Sequence, residues 1–145
     1  MQLPPPKSTR PASLRPEYTA KITAETGLSD EVLTKVVHSF YAKVRADALL
    51  GPIFNTRISD WDTHLAKLVD FWSSVVLMSG RYHGQPMPAH MPLPIDGAHF
   101  ERWLALFDQT VTTLCTGEGA ALLNARAGMI AGAIQSNLNR QRHSA

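Results

Sequence analysis

The chain has 145 residues, 44% apolar and 18% charged, with a net charge of +2. That is the length and make-up of one ordinary globular domain and excludes a disordered polymer. Charge is concentrated at the ends: residues 1–21 hold Lys7, Arg10, Arg15 and Lys21 against Glu17, Arg140 and Arg142 come near the other end, and residues 22–139 carry eight bases against eleven acids.

A mildly acidic body argues against a dedicated nucleic-acid face, which needs a basic surface on the folded part. The one cysteine, Cys115, excludes an internal disulfide and a multi-cysteine metal site and suits a reducing compartment. Pro4, Pro5, Pro6, Pro11 and Pro16 crowd residues 1–24, which have too little apolar pattern to bury. They read as a flexible, proline-rich, basic extension, with the domain proper at 25–145. No apolar core follows the N-terminal bases, so the segment does not resemble a secretory signal. No apolar run is long enough to cross a bilayer. The expectation is a cytoplasmic protein with neither a membrane nor a nucleic acid as partner.

In chain order, the first strong helix is predicted from Ser29, a good N-cap followed by Asp30 and Glu31, which suit the positive end of a helix. Val32, Leu33, Val36, Val37, Phe40, Tyr41 and Val44 then recur at helical spacing, and the helix is expected to stop near Ala48, before Leu50-Gly51-Pro52. Ile53-Phe54 reads as an apolar pair in a short connector. A second helix, capped by Ser59, carries Trp61, Leu65, Leu68, Trp72, Val75 and Val76 and ends at Ser79-Gly80; His64 lies on the same stripe. Residues 80–95 hold four prolines and two glycines, which forbid a long helix, yet they include Tyr82, Met87, Met91, Leu93 and Ile95. An apolar, proline-stiffened loop with His90 near its centre is built to wrap something. A third helix starts near Asp96 with Phe100, Trp103, Leu104, Phe107, Val111 and Leu114. A fourth runs from about Glu118 to Asn139. No two-residue alternation rises above noise, so the class is all-α.

The six histidines are His38, His64, His83, His90, His99 and His143. No pair stands four apart on one helix and no carboxylates accompany them at ligand spacing, so a zinc or di-iron site is poorly supported. No phosphate loop or nucleophile elbow occurs. What remains is His64 on an apolar helix face and His90 in an apolar loop. One histidine suffices for haem iron, because the porphyrin supplies four nitrogens. Haem also needs a large apolar slot with a few polar groups at the open position. Phe40, Tyr41, Phe54, Leu68, Trp72, Met91 and Trp103 are candidate walls. His99 is the rival ligand, but its place at a helix start is ordinary for a surface histidine. His38, His83 and His143 read as surface or loop residues.

The fragments FYAKVRADALLGPIF, WDTHLAKLVDFW, RYHGQPMPAHMPLP and HFERWLALF, in that order across residues 29–140, closely resemble the group III truncated haemoglobins of bacteria. The resemblance implies a truncated globin fold, a two-over-two helical sandwich around a haem b (iron protoporphyrin IX). It implies that His90 is the proximal iron ligand, that Tyr41 and Trp103 donate hydrogen bonds to a bound gas, and that His64 is a distal gate or ligand contact. It implies that Phe54 packs on the porphyrin and that Lys67 pairs with a propionate. The diatomic ligands would be O2, CO and NO. A tight distal pocket suits oxygen-dependent chemistry on nitric oxide, supplied with electrons by a reductase, or a weak peroxidase-like reaction, better than oxygen delivery. A haem-based gas sensor or interaction module acting through the N-terminal extension is the alternative.

Overall fold

A computed structural model of the chain describes residues 13–82 and 94–144. Among them are six helices and no strand: α1 (Pro16–Thr26), α2 (Asp30–Ala46), α3 (Gly51–Arg57), α4 (Trp61–Val76), α5 (Gly97–Leu114) and α6 (Gly117–Ser144). α2 packs on α4 and α5, and α6 packs on α5 and α4, so two helix pairs enclose one interior.

The apolar spacing of α2 gives this interior its floor. Leu33, Val36, Val37, Phe40, Tyr41 and Val44 fall on one face and are all buried. Ser29 caps the helix as predicted, its side chain accepting from the Val32 amide at 3.3 Å. Phe107 of α5 lies between two indoles, stacked 5.1 Å from Trp72 of α4 and 5.4 Å from Trp103. The Phe40 ring meets Phe107 and Trp103 edge-on, at 5.1 Å in each case. These four rings tie α2, α4 and α5 together at the centre.

Several expected boundaries are corrected. Residues 1–24 were expected to be a flexible extension, yet Pro16–Thr26 is a helix, and Thr19 Oγ1 donates to the Leu77 carbonyl at 2.6 Å while the Leu14 amide donates to Ser79 at 3.0 Å. Residues 1–12 lie outside the described part. The Ile53-Phe54 connector is the helix α3. In both places a proline stands in the first turn of a helix, where its fixed φ suits the turn and its missing N–H would have had no partner. Asp60, not Ser59, caps α4 by accepting from the Thr63 amide at 3.2 Å. α4 ends at Val76 and α2 at Ala46, while α6 runs to Ser144. After α4 the backbone turns through Met78 (φ 58°) and Gly80 (φ 73°), and Leu14 fills the space a Cβ on Gly80 would need.

The α2–α3 turn is held by one carboxylate. Asp47 accepts from the Leu49 and Leu50 amides, each at 3.0 Å, and from Arg102 Nε of α5 at 2.7 Å. Burial would raise its pKa, but hydrogen bonds from Leu50, Arg102 and Leu49 together hold it below the ordinary 3.8. A depressed value means that this contribution to stability is present above 3.8 and lost as pH falls through the lower folded value. Acid unfolding followed by circular dichroism should therefore be less steep with pH in Asp47→Asn than in the parent. Equal steepness would show that the carboxylate does not hold the turn.

Candidate functional site

Five side chains from four helices meet beside the ring cluster. Tyr41 sits on the buried face of α2, one residue beyond Phe40, which turns it from the centre of the core towards the first turn of α4. In that turn Trp61 and His64 are three residues apart and so share a face. Their rings lie 6.1 and 6.3 Å from Tyr41, and the Trp61 and His64 rings meet edge-to-face at 5.7 Å. Trp103 of α5 completes the group from the other side, and Phe54 of α3 stands 6.2 Å from the Tyr41 ring.

Tyr41 is 5% exposed. Burial pushes its phenol up to about 12, while the hydrogen bond from Trp103 pulls the other way. An indole N–H can only donate, so the Tyr41 oxygen accepts from it and the phenol's own proton points elsewhere. The result is a neutral hydroxyl donor held among aromatic faces, beside a half-buried imidazole.

The structure brings together Tyr41, His64, Trp103 and Phe54 of the predicted site. Phe40 and Trp72 are deeper, enclosed by protein at 1% and 3% exposure, so they support the site's walls from behind. Leu68 is half-buried on α4 against the core, and Lys67 beside it is exposed. His90 and Met91 lie outside the described residues, as do Met87 and His83. The rival His99 is engaged in the cap of α5: its Nδ1 accepts from the Asp96 amide at 3.1 Å and lies 3.0 Å from Asp96 Oδ1. His38 is exposed on α2.

Sequence reasoning assigned Trp61 to the core stripe and missed its place in the site. The signal was present in WDTH, where the three-residue step to His64 puts both rings on one face. Arg45 was also missed. Its guanidinium lies over the Trp61 ring, 4.6 Å from the centroid. No local pattern links these two, because they belong to different helices. Among the described residues no group of three metal-binding side chains occurs, and no helix is long and apolar enough to cross a membrane.

The sequence matches the family described as bacterial-like globin over residues 25–131. It is 38% identical over 116 residues to the group 3 truncated hemoglobin Ctb of Campylobacter jejuni, covering 77% of this chain and 91% of that one. The fold superposes on the crystal structure of a group III truncated hemoglobin from Campylobacter jejuni with a TM-score of 0.73 and 40% identity, again covering 77% and 91%. It is also similar in fold to the truncated oxygen-avid haemoglobin of Bacillus subtilis, with a TM-score of 0.64 and 24% identity over 74% of this chain and 94% of that one.

The raised Tyr41 value carries a sign. A neutral phenol buried in the fold stabilises it fully below pH 10, and that contribution is lost as pH rises through the folded value near 12. Urea midpoints measured across this alkaline range should fall less in Tyr41→Phe than in the parent. Parallel curves would mean that Tyr41 titrates as an exposed phenol.

Proposed function

The chain belongs to the bacterial-like globins, and to their group III truncated branch, and from that premise we propose that it binds a single haem b and takes up diatomic gases in the space beside Tyr41. The observation that carries the reading is the Tyr41 hydroxyl, buried among aromatic rings with Trp103 donating into it. Buried hydroxyls seek an acceptor. The donor set fits haem: two N–H and O–H donors and an imidazole converge on one side, with Phe54 and Leu68 as apolar surface nearby.

In this reading His90 is the iron ligand, Phe54, Leu68 and Met91 contact the porphyrin, and the exposed Lys67 reaches a propionate. Haem held there would supply an iron able to take up O2, CO or NO. The protein supplies the rest. Trp103 fixes the rotation of the Tyr41 hydroxyl by occupying its oxygen, so the phenol proton is directed into the pocket. Phe40 and Phe107 back the two donors and prevent them from turning away. Trp61 and His64 cover the side facing solvent and restrict water.

A donor directed at a partly negative ligand favours oxygen over carbon monoxide, because oxygen draws more charge. Strong retention suits reaction with the ligand better than delivery of it. The proposed reaction is oxidation of nitric oxide by dioxygen to nitrate, with one electron from a reductase for each turnover. A peroxidase role is less well supported. Such sites strengthen the proximal histidine with a carboxylate, and Asp96, the first acid after His90, is committed to capping α5, where its oxygen accepts from the Ala98 amide at 3.0 Å. A second reading, a gas sensor acting through the N-terminal extension, draws support from the anchoring of Leu14 and Thr19 to the exit of α4.

Oxygen dissociation by stopped flow tests the distal pocket. Tyr41→Phe should raise the rate about ten- to hundred-fold, the weight of one hydrogen bond to a charged acceptor. It should change carbon monoxide dissociation much less. An unchanged oxygen off-rate would overturn the role given to Tyr41.

A further inference from the structure

Arg45 stands in the last turn of α2, an exposed residue outside the ring cluster. Its backbone is nevertheless tightly held. Asn55 of α3 donates from Nδ2 to the Arg45 carbonyl at 3.1 Å, and Gly51 comes so close that a Cβ there would lie 2.6 Å from the same oxygen. From this fixed base the side chain crosses to α4, where the guanidinium covers the Trp61 ring. Among the described residues it forms no ion pair with a carboxylate, so the indole face is what the cation meets.

Trp61 needs such a hold. It is the first residue of α4 and only half-buried, and Asp60 caps the helix through Thr63 rather than through Trp61. Its ring also meets His64 edge-to-face and is tilted against Tyr41. The Trp61 ring thus meets the Arg45 guanidinium at 4.6 Å and the His64 imidazole at 5.7 Å. Trp61 and His64 are half-buried beside the buried Tyr41.

We propose that Arg45 is a positioning residue for the gas site: it clamps the Trp61 indole from the solvent side, and the clamped indole sets how far His64 can swing away from Tyr41. This rests on the haem reading above but assigns a role to a residue that touches neither haem nor gas. With the cation gone, the indole is freed on one face, His64 gains room to swing out, and small ligands reach Tyr41 faster. The expected change is modest, about two- to five-fold, because an exposed cation–π contact carries only that weight.

The test uses the full chain and three variants, Arg45→Gln, Arg45→Lys and Trp61→Phe. Carbon monoxide association is measured by flash photolysis on the haem-loaded ferrous protein. Separately, 5-fluorotryptophan is incorporated and the fluorine spectrum of the haem-free protein is recorded, with the Trp61 line assigned by its loss in Trp61→Phe. Arg45→Gln should shift or broaden the Trp61 line and raise the association rate about two- to five-fold. Arg45→Lys, which keeps a cation, should return both towards the parent. A loss of packing alone would move the melting temperature without this rescue. A Trp61 line unchanged in Arg45→Gln overturns the clamp. A shifted line with an unchanged rate overturns the link to His64. If the parent shows a normal Soret band and either of these occurs, this inference alone fails; if it takes up no haem at all, the haem reading fails and this inference with it.

Discussion

The structure depends on burying the hydroxyl of Tyr41 inside a cluster of aromatic rings. A phenol placed there cannot ionise near neutral pH and cannot hydrogen-bond to bulk water, so its oxygen and proton must each find a protein or ligand partner. Trp103 supplies one of the two. Everything around it keeps that geometry from relaxing: Phe40 behind, Phe107 stacked beneath Trp103, Trp72 stacked beneath Phe107. Such edge-to-face and offset contacts specify ring angle as well as burial. The core and the site are thus one set of contacts, with the core fixing the angle at which the donors are presented.

The helices explain why three chain segments far apart in sequence can do this. α2 carries a continuous buried face, and the step from Phe40 to Tyr41 turns the second ring out of the centre towards α4. α3, only seven residues long, sets Phe54 beside it and seats against the end of α2 through Gly51 and Asn55. The Asp47 carboxylate joins the same turn to Arg102 of α5. Polar contacts at the rim therefore hold the register in which the aromatic interior closes.

Much of this was legible in the sequence, for physical reasons that differ by element. The helical phase of Val36, Val37, Phe40, Tyr41 and Val44 identifies a buried face, and the same period places His64 with Trp61. The grouping of Tyr41, His64 and Trp103 was implied by the resemblance that four fragments in order carry, and by no single one of them. Proline is ambiguous here: Pro16 and Pro52 stand in the first turns of α1 and α3, and a first-turn proline has the same letter as a breaker. Ser59 and Asp60 are both able caps, and only the formed contact to Thr63 decides between them. The placing of Arg45 over Trp61 was beyond any local rule, because it joins the end of one helix to the start of another. His99, taken as an ordinary helix-start residue, does lie there and serves as half of a capping box.

The function proposed for this fold requires one haem held through His90. The most direct test is the absorption spectrum of the purified chain, ferric, then reduced, then under carbon monoxide, beside His90→Ala and His99→Ala. The expected result is a strong Soret band that moves with carbon monoxide, survives in His99→Ala and is lost in His90→Ala. No Soret band in the parent after addition of hemin, or a band lost only in His99→Ala, would contradict it.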